Sequence, residues 1–353
     1  FTAMGGKLNP RSVPDYQRLA QQRLEPAIWD YLADSDNSDS NSNETNENAF
    51  TAVRLTPRPL RDVRHGHTRL NLFGQSLEHP IILAPIAYQR LFHPHGESAC
   101  AMAASAQGGL SIISSLASQS FDTIVQAAQE GGSAIAPWFQ LYWQADRPRT
   151  LRLLQRAIAA GCSAVVLTVD APIKRATLQL PSHVSAINLE VLEDAESLAR
   201  KTVFSGWMAE APTWDDLAWL RQQTTLPLLV KGILHPDDAA QAVDAGCDGI
   251  IVSNHGGRVL HGTPSSLEAL KAITQRLQNH ENRIPILLDS GIRSGRDVFV
   301  ALAHGATAVL LGRPAMWGLA GNGAMGVAHV IRLLRDELEM TMALMGCAKL
   351  PTY

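Results

Sequence analysis

Residues 228–258 read Leu-Leu-Val-Lys-Gly-Ile-Leu-His-Pro-Asp-Asp-Ala-Ala-Gln-Ala-Val-Asp-Ala-Gly-Cys-Asp-Gly-Ile-Ile-Val-Ser-Asn-His-Gly-Gly-Arg. An apolar run, Leu228–Val230, is followed by a helical stretch, Pro236–Ala245, and a second apolar run, Gly249–Val252. Short apolar runs without alternation predict strands buried on both faces. Each run ends in a polar burst, Lys231-Gly232 after the first and Ser253 to Arg258 after the second. An imidazole, a permanent cation and two adjacent glycines are poor core material. They suit a site that takes a proton from an anionic substrate, with a solvated Gly-rich turn as the alternative.

Working outward, the same alternation covers the chain from Pro80. Ile81–Ala84 precedes a helix near Glu97–Gln107, Leu110–Ile113 precedes Phe121–Gln129, and Pro137–Leu141 precedes Pro148–Ala160. Ala164–Val169 precedes Trp214–Gln223 after a long excursion, and the 249–252 run precedes Ser265–Gln278. Ile286–Leu288 precedes Gly295–Ala303, and Ala308–Leu311 precedes a helical tail, Ala324–Met345. Eight strand–helix units in succession predict a closed (β/α)₈ barrel of the α/β class. An open doubly wound sheet is the competing architecture. It would carry a Gly-x-Gly-x-x-Gly turn after its first strand, where this chain has Pro85-Ile-Ala-Tyr.

The predicted organisation is therefore an N-terminal helical and irregular segment, 4–79, packed on a barrel, 80–353. Residues 171–212 form an insertion after strand four that reads as a lid over the barrel mouth. Val13–Leu32 carries apolar residues at helical spacing, Pro26 fits a first helical turn, and a short hairpin is expected around Gly74. The polar run Asp34–Asn48 has almost nothing apolar to bury and predicts a loop.

The 353 residues are 46% hydrophobic and 18% charged, with a net charge of −3. That supplies a large core and no basic footprint for nucleic acid. No apolar stretch is long enough to span a membrane, and none reads as a secretory leader. Cys100, Cys162, Cys247 and Cys347 are scattered, without metal or disulfide spacing, and point to a reducing, cytoplasmic setting.

In a barrel of this kind the chemistry sits at the carboxyl ends of the strands. Those ends are Ala84-Pro85-Ile86-Ala87, Ser114-Ser115, Gln140 with Tyr142, Thr168-Val169-Asp170, Lys231-Gly232, Ser253-Asn254-His255, Asp289 to Arg293, and Gly312-Arg313. Glycines paired with arginines, Gly291 with Arg293 and Gly312 with Arg313, suit a phosphate after strands seven and eight. Lys231 would point into the mouth and needs an anionic partner there. His255, Asp170 and Tyr142 lie on nearby strand ends, and a carboxylate beside a histidine makes it a better base. Surface salt bridges, a wall aromatic and a loop cap are the structural alternatives.

Six motifs in this order carry a resemblance. Phe-Gln-Leu-Tyr at 139–142, Leu-Thr-Val-Asp at 167–170, Leu-Val-Lys-Gly at 229–232, Ser-Asn-His-Gly-Gly-Arg at 253–258, Leu-Asp-Ser-Gly-Ile-Arg at 288–293 and Leu-Gly-Arg-Pro at 311–314 resemble the FMN-dependent 2-hydroxy-acid oxidase/dehydrogenase family. The resemblance runs from about Val13 to Cys347. It implies FMN as cofactor, a small 2-hydroxy acid and O2 as reactants, no metal, and a homotetramer. It implies His255 as the base, supported by Asp170, with Arg258 and Tyr31 on the substrate carboxylate and Tyr142 on its hydroxyl or carboxylate. Lys231 would lie at the flavin N1/C2 edge, Gln140, Thr168 and Ser114 would bind the ring edge, Pro85, Ile86 and Ala87 would run along the ring, and Ser253 would also contact the cofactor. Asp289 would hold the ribityl chain, and Gly291, Arg293, Gly312 and Arg313 the phosphate.

The chain departs from the family's usual pattern at three places. Asp170-Ala-Pro-Ile-Lys-Arg-Ala-Thr replaces the usual Leu-Gly-Arg-Arg-Glu continuation, leaving Arg175 as the candidate lid arginine on the carboxylate. Leu116 stands where many relatives carry Trp or Tyr, and the polar run at 34–43 replaces a Gly/Ala-rich turn. Ala87, beside flavin N5, is the residue that oxidases of the family tend to carry. The expected activity is oxidation of an (S)-2-hydroxy acid to the 2-oxo acid with O2 as acceptor, favouring an alkyl or aryl side chain over glycolate. A dehydrogenase using another acceptor, and a flavin-binding relative with reduced turnover, are the alternatives.

Overall fold

The computed structural model describes residues 9–33, 41–173, 178–190 and 195–351. Its centre is a barrel of eight parallel strands: β1 (Ile81–Leu83), β2 (Ile112–Ser114), β3 (Trp138–Leu141), β4 (Val165–Thr168), β5 (Leu228–Ile233), β6 (Gly249–Val252), β7 (Ile286–Leu288) and β8 (Ala308–Leu311). From β2 onward each strand pairs with its successor, β8 pairs with β1, and a single parallel bridge between Leu83 and Ser111 links β1 to the start of β2. The intervening helices include α1 (Gly96–Ala106), α2 (Phe121–Glu130), α3 (Arg147–Ala160), α4 (Trp214–Gln222), α5 (Pro236–Asp244), α6 (Ser266–Leu277), α7 (Gly295–Ala303) and α8 (Arg313–Leu344). Local chemistry fixes their starts: the side chains of Ser120, Asp146, Ser265 and Ser294 each accept a first-turn backbone N–H.

Side-chain parity divides the core. Ile82, Ile112, Trp138, Val166, Leu229, Ile251, Leu287 and Leu310, one from each strand, form a layer inside the barrel. Their strand neighbours, such as Ile81, Phe139, Val165, Val230 and Ile250, pack outward with the helices. Two residues beyond each inner apolar residue stand Ala84, Ser114, Gln140, Thr168, Lys231, Ser253, Asp289 and Gly312. Because strand side chains alternate with period two, these residues occupy the next layer up. The observed register supports this directly, with Ser114 opposite Gln140 and Thr168 opposite Lys231. The bottom of the barrel is closed by a hairpin, Leu70–Leu72 with Gln75–Leu77, whose Phe73 ring lies 5.6 Å from that of Trp138.

Several predicted boundaries move. β2 begins at Ile112 rather than Leu110, and β5 extends to Ile233 through a register shift at Gly232. The final helix starts at Arg313, not Ala324, and is kinked at Asn322–Gly323, which the sequence reading mistook for its start. The polar run is the largest correction. A helix covers Asn41–Ala52, so the loop expectation fails over 41–48, while 34–40 lie outside the described residues. Phe50 anchors that helix in the core, and Asn46 is buried by hydrogen bonds that local sequence does not announce. Within 171–212, the described residues form a short helix, Ala195–Arg200, and a π-helical turn, Val203–Trp207.

His79, at the foot of β1, is fully buried. Its Nδ1 accepts the Ile81 N–H at 3.2 Å, and its Nε2 has no partner among the described residues. Burial pulls the imidazole down to about 4. The unfolded chain binds this proton near pH 6.5 while the folded chain refuses it, so stability falls as pH drops from about 6.5 toward 4, by roughly 3 kcal/mol. Urea unfolding of wild type and His79→Asn across this range should show a steeper acid loss in the wild type. Parallel curves would remove His79 as the cause.

Candidate active site

The polar layer is a hydrogen-bonded network. Gln140 is oriented from both sides: Ser114 Oγ donates to its Oε1 at 3.2 Å, and its Nε2 donates to Thr168 Oγ1 at 3.0 Å. Lys231 Nζ donates to Ser253 Oγ at 3.0 Å and pairs with Asp289 Oδ2 at 2.9 Å. Burial opposes the ammonium charge, but Asp289 and Asp170 outweigh it and hold the Lys231 pKa above its ordinary value. Asp289 in turn accepts from Ser290 Oγ at 2.8 Å, and Ser290 Oγ accepts the Gly256 N–H at 2.9 Å. The cation at the end of β5 is thus wired to the loop that carries His255.

That loop is wound in the left-handed region, with φ of 57° at His255, 67° at Gly256 and 79° at Gly257. Glycine adopts this conformation freely, whereas histidine does so at a cost. Side chains secure it: the His255 N–H donates to Ser253 Oγ at 3.0 Å, and the Gly257 N–H to Asn254 Oδ1 at 3.2 Å. The ring faces Asp170, with Nδ1 3.0 Å from Oδ1. Burial pushes the Asp170 carboxyl up, but His255 and Lys231 outweigh it and keep it below the usual carboxylate range. An ionised carboxylate only accepts, so Nδ1 carries the proton and Nε2 is left with the lone pair. Gly232 makes room for this pair: with φ of 103°, a Cβ there would lie 2.5 Å from Asp170 Cβ.

Arg258 Nη2 donates to Tyr31 O at 2.8 Å and Nη1 to Leu32 O at 3.2 Å, with the guanidinium 5.3 Å from the Tyr31 ring centre. Arg313 Nε also donates to Leu32 O, at 3.1 Å. Both cations therefore sit at the carboxyl end of the Pro26–Ala33 helix, where its carbonyls are free to accept. Burial, and then the Asp170 charge, drive the Tyr142 phenol well above its ordinary value, so it is a neutral donor.

These groups surround an inner cavity of about 230 Å³. Tyr31, Tyr142, Lys231, His255 and Arg258 line it together with Asp289, Gly291, Arg293, Gly312 and Arg313, and with Pro85, Ile86, Ala87 and Ser114. Gln140, Ser253, Thr168 and Asp170 stand behind that surface through the bonds above. Arg175 lies outside the described residues. Arg293 pairs with Glu47 at 2.9 Å while its guanidinium lies 5.2 Å from the Trp317 ring centre.

Sequence reasoning missed Asn46 and Glu47, both in the run it assigned to a loop. Asn46 and Asn254 exchange two amide hydrogen bonds of 3.0 Å each, and Asn46 Oδ1 also accepts the Ser266 N–H at 3.1 Å. It missed Tyr88 as well, and Glu97, whose buried carboxylate accepts the Gln89 N–H at 3.0 Å and the Ser118 N–H at 2.8 Å. Capping Asp and Glu residues are common in sequences, and nothing local distinguishes these.

Fold and site together define a (β/α)₈ barrel whose mouth gathers arginines, a buried lysine and a carboxylate-paired histidine around one cavity. The chain matches the FMN-dependent dehydrogenase family over residues 20–352, and it belongs to that family. It is 45% identical over 347 residues to an L-lactate oxidase of Alicycliphilus denitrificans, covering 95% of this chain and 93% of the relative. It is 41% identical over 350 residues to a 4-hydroxymandelate oxidase of Amycolatopsis orientalis, covering 95% and 94%. A glycolate oxidase of Spinacia oleracea is 38% identical over 351 residues, covering 96% and 93%. A crystal structure of mandelate oxidase superposes with a TM-score of 0.86 at 40% identity, covering 97% of this chain and 96% of that one.

The cofactor is FMN, and the residues present fit it. A Cβ on Gly312 would meet only Ile86 Cδ1 at 3.7 Å and Ala84 Cβ at 4.0 Å, so the glycine opens the cavity floor beside Arg313. Donors of the kind a ring edge and a phosphate need line one cavity.

Asn46→Ala should leave the buried Asn254 amide partly unsatisfied. The expected loss is about 1–3 kcal/mol in urea unfolding, with bound FMN retained at reduced affinity. Unchanged stability would show that Asn254 finds other partners.

Proposed function

We propose that this chain oxidises an (S)-2-hydroxy acid to the 2-oxo acid, with O2 as the final acceptor and H2O2 as the second product. The balance is R–CHOH–COO⁻ plus O2 giving R–CO–COO⁻ plus H2O2. The observation that carries the reading is the His255–Asp170 pair at 3.0 Å, with His255, Arg258, Arg293 and Arg313 lining one cavity. FMN, when bound, would supply the two-electron chemistry that links the substrate to O2.

The chain's own residues do the rest. His255 Nε2 accepts the substrate hydroxyl proton, and Asp170 holds the resulting imidazolium in place and stabilises its charge. Arg258 binds the carboxylate through its fork, and the protonated Tyr142 donates a hydrogen bond to the hydroxyl or carboxylate oxygen. Tyr31 lies against Arg258 and completes this wall. Lys231, fixed by Ser253 and Asp289, offers positive charge at the ring edge, and Gln140, Thr168 and Ser114 offer an oriented amide and hydroxyls. Gly291, Arg293, Gly312 and Arg313 would hold the phosphate, with Asp289 toward the ribityl chain and Pro85 to Ala87 along the ring. The Ala87 methyl supports the choice of O2 as acceptor. Arg175, outside the described residues, stays the candidate for a further arginine on the substrate carboxylate.

Residues 4–79 form the N-terminal segment, 80–353 the barrel, and 171–212 its lid. No helix among the described residues is long and apolar enough to cross a membrane. The four free cysteines support a cytoplasmic setting, and the family resemblance supports a homotetramer.

His255→Ala should bind FMN and lose roughly 10²–10⁴ in the rate of flavin reduction by substrate, followed anaerobically by stopped flow. Reduction near the wild-type rate would place the base elsewhere. Arg258→Lys should raise the apparent dissociation constant for 2-hydroxy acids by about tenfold or more, because an ammonium cannot reproduce the bidentate fork. An unchanged constant would remove Arg258 from carboxylate binding. Peroxide yield under air separates the oxidase from a dehydrogenase, for which turnover would require an artificial acceptor.

A further inference from the structure

A second cavity, of about 630 Å³, adjoins the inner one. Tyr31, Leu116 and Tyr142 line both, so the two share a wall at the place where the substrate's reacting carbon must sit. His255, Arg258 and Lys231 line only the inner cavity, whereas Leu153, Leu180, Leu189 and Trp207 line only the outer. The proposed chemistry is thus confined to one side, and the other side is a chamber lined mainly by apolar residues, with Arg149, Glu190, Lys201 and Glu210 also on its lining.

We propose that the outer cavity is the subsite for the substrate's side chain, and that the preferred substrates are 2-hydroxy acids carrying an apolar alkyl or aryl group of about six carbons or more. The proposal rests on the reading of the chain as a 2-hydroxy-acid oxidase. With the carboxylate at Arg258 and the hydroxyl at His255, the hydrogen on the reacting carbon would be the one given up to the bound cofactor. The side chain is the one remaining substituent, and the shared wall at Leu116 directs it into the outer cavity. Cavities of roughly 300–1,000 Å³ bury drug-sized ligands. A one- or two-carbon side chain would leave most of this one to water and gain little from its leucines.

The wall is preformed. The Tyr88 N–H donates to Leu116 O at 3.0 Å, joining the loop after β1 to the loop after β2. Tyr88 itself is held in the left-handed region, with φ of 53°. Glu97 pins both loops from behind by accepting the backbone N–H groups of Gln89 and Ser118. A wall fixed on both sides adds little ordering cost when a side chain packs against it.

The test is the kcat/KM of the purified FMN-bound enzyme, by peroxide formation, for glycolate, lactate, 2-hydroxybutyrate, 2-hydroxyhexanoate, 2-hydroxyoctanoate and mandelate. The expected series rises by up to about fourfold per methylene buried, with 2-hydroxyoctanoate or mandelate exceeding glycolate by about tenfold or more. Which of the two leads distinguishes an alkyl from an aryl side chain. Ala211 lines only the outer cavity. Ala211→Phe should lower kcat/KM for the preferred substrate by about tenfold while leaving glycolate within about twofold. A series that is flat, or that peaks at glycolate or lactate, overturns the subsite while leaving the reaction intact. Failure of every 2-hydroxy acid to reduce the flavin overturns the reaction, and the subsite with it. The wild-type series decides the matter without reliance on the variant's folding.

Discussion

A strand shows its side chains alternately to its two faces, and in a closed barrel one of those faces is the interior. Each of the eight strands here places an apolar residue inward and, two positions later, the residue that borders the site. The lower member of each pair fills the barrel, as Trp138, Leu229 and Leu287 do. The upper member, as Gln140, Lys231 and Asp289 do, meets the cavity or the network behind it. Core and site are therefore two levels of one alternation. A slip of one residue in any strand would turn both levels outward together.

The upper level tolerates charge because the charges balance there. Lys231 is nearly inaccessible to water, and an isolated ammonium in that position would lose its proton. Asp289 and Asp170 prevent this, and Asp170 is itself stabilised by His255. Such clusters add little to stability, since desolvation cancels much of the attraction. Their effect is on protonation: a carboxylate that stays ionised, an ammonium that stays charged and a phenol that stays neutral. The left-handed turn at His255 fits this economy. A non-glycine residue there carries a strain of about 1–3 kcal/mol, offset by Ser253, Asn254 and Ser290, each of which receives one backbone N–H of the turn.

What sequence could show followed from periodicity and local turn chemistry. The eight units, the hairpin at Gly74 and nearly every strand-end residue were legible, because short apolar runs and the polar residues closing them are contiguous. Asn46 was not. It lies in a run with almost no apolar residue, and its partners, Asn254 and Ser266, are 208 and 220 positions away. Its helix forms through tertiary contacts, which routinely override local propensity. The kink at Asn322–Gly323 misled in the opposite way, since a glycine beside an asparagine inside a helix looks like a boundary. Arg293 was legible as a cavity arginine, but its partner Glu47 was not, for the same reason as Asn46.

The N-terminal segment is therefore a structural part of the site rather than an appendage to the barrel. Leu32 O receives both Arg258 and Arg313, two arginines that line the cavity. Glu47 meets Arg293, and a Cβ on Gly291 would lie 2.9 Å from the Asn46 backbone. Barrel strands alone position the lysine, the amide and the base, but the three arginines are aimed by carbonyl and carboxylate groups from residues 31–47. Guanidinium groups on flexible stems need such partners to present a fork in one direction. The arginines that border the cavity thus depend on a segment outside the barrel repeat.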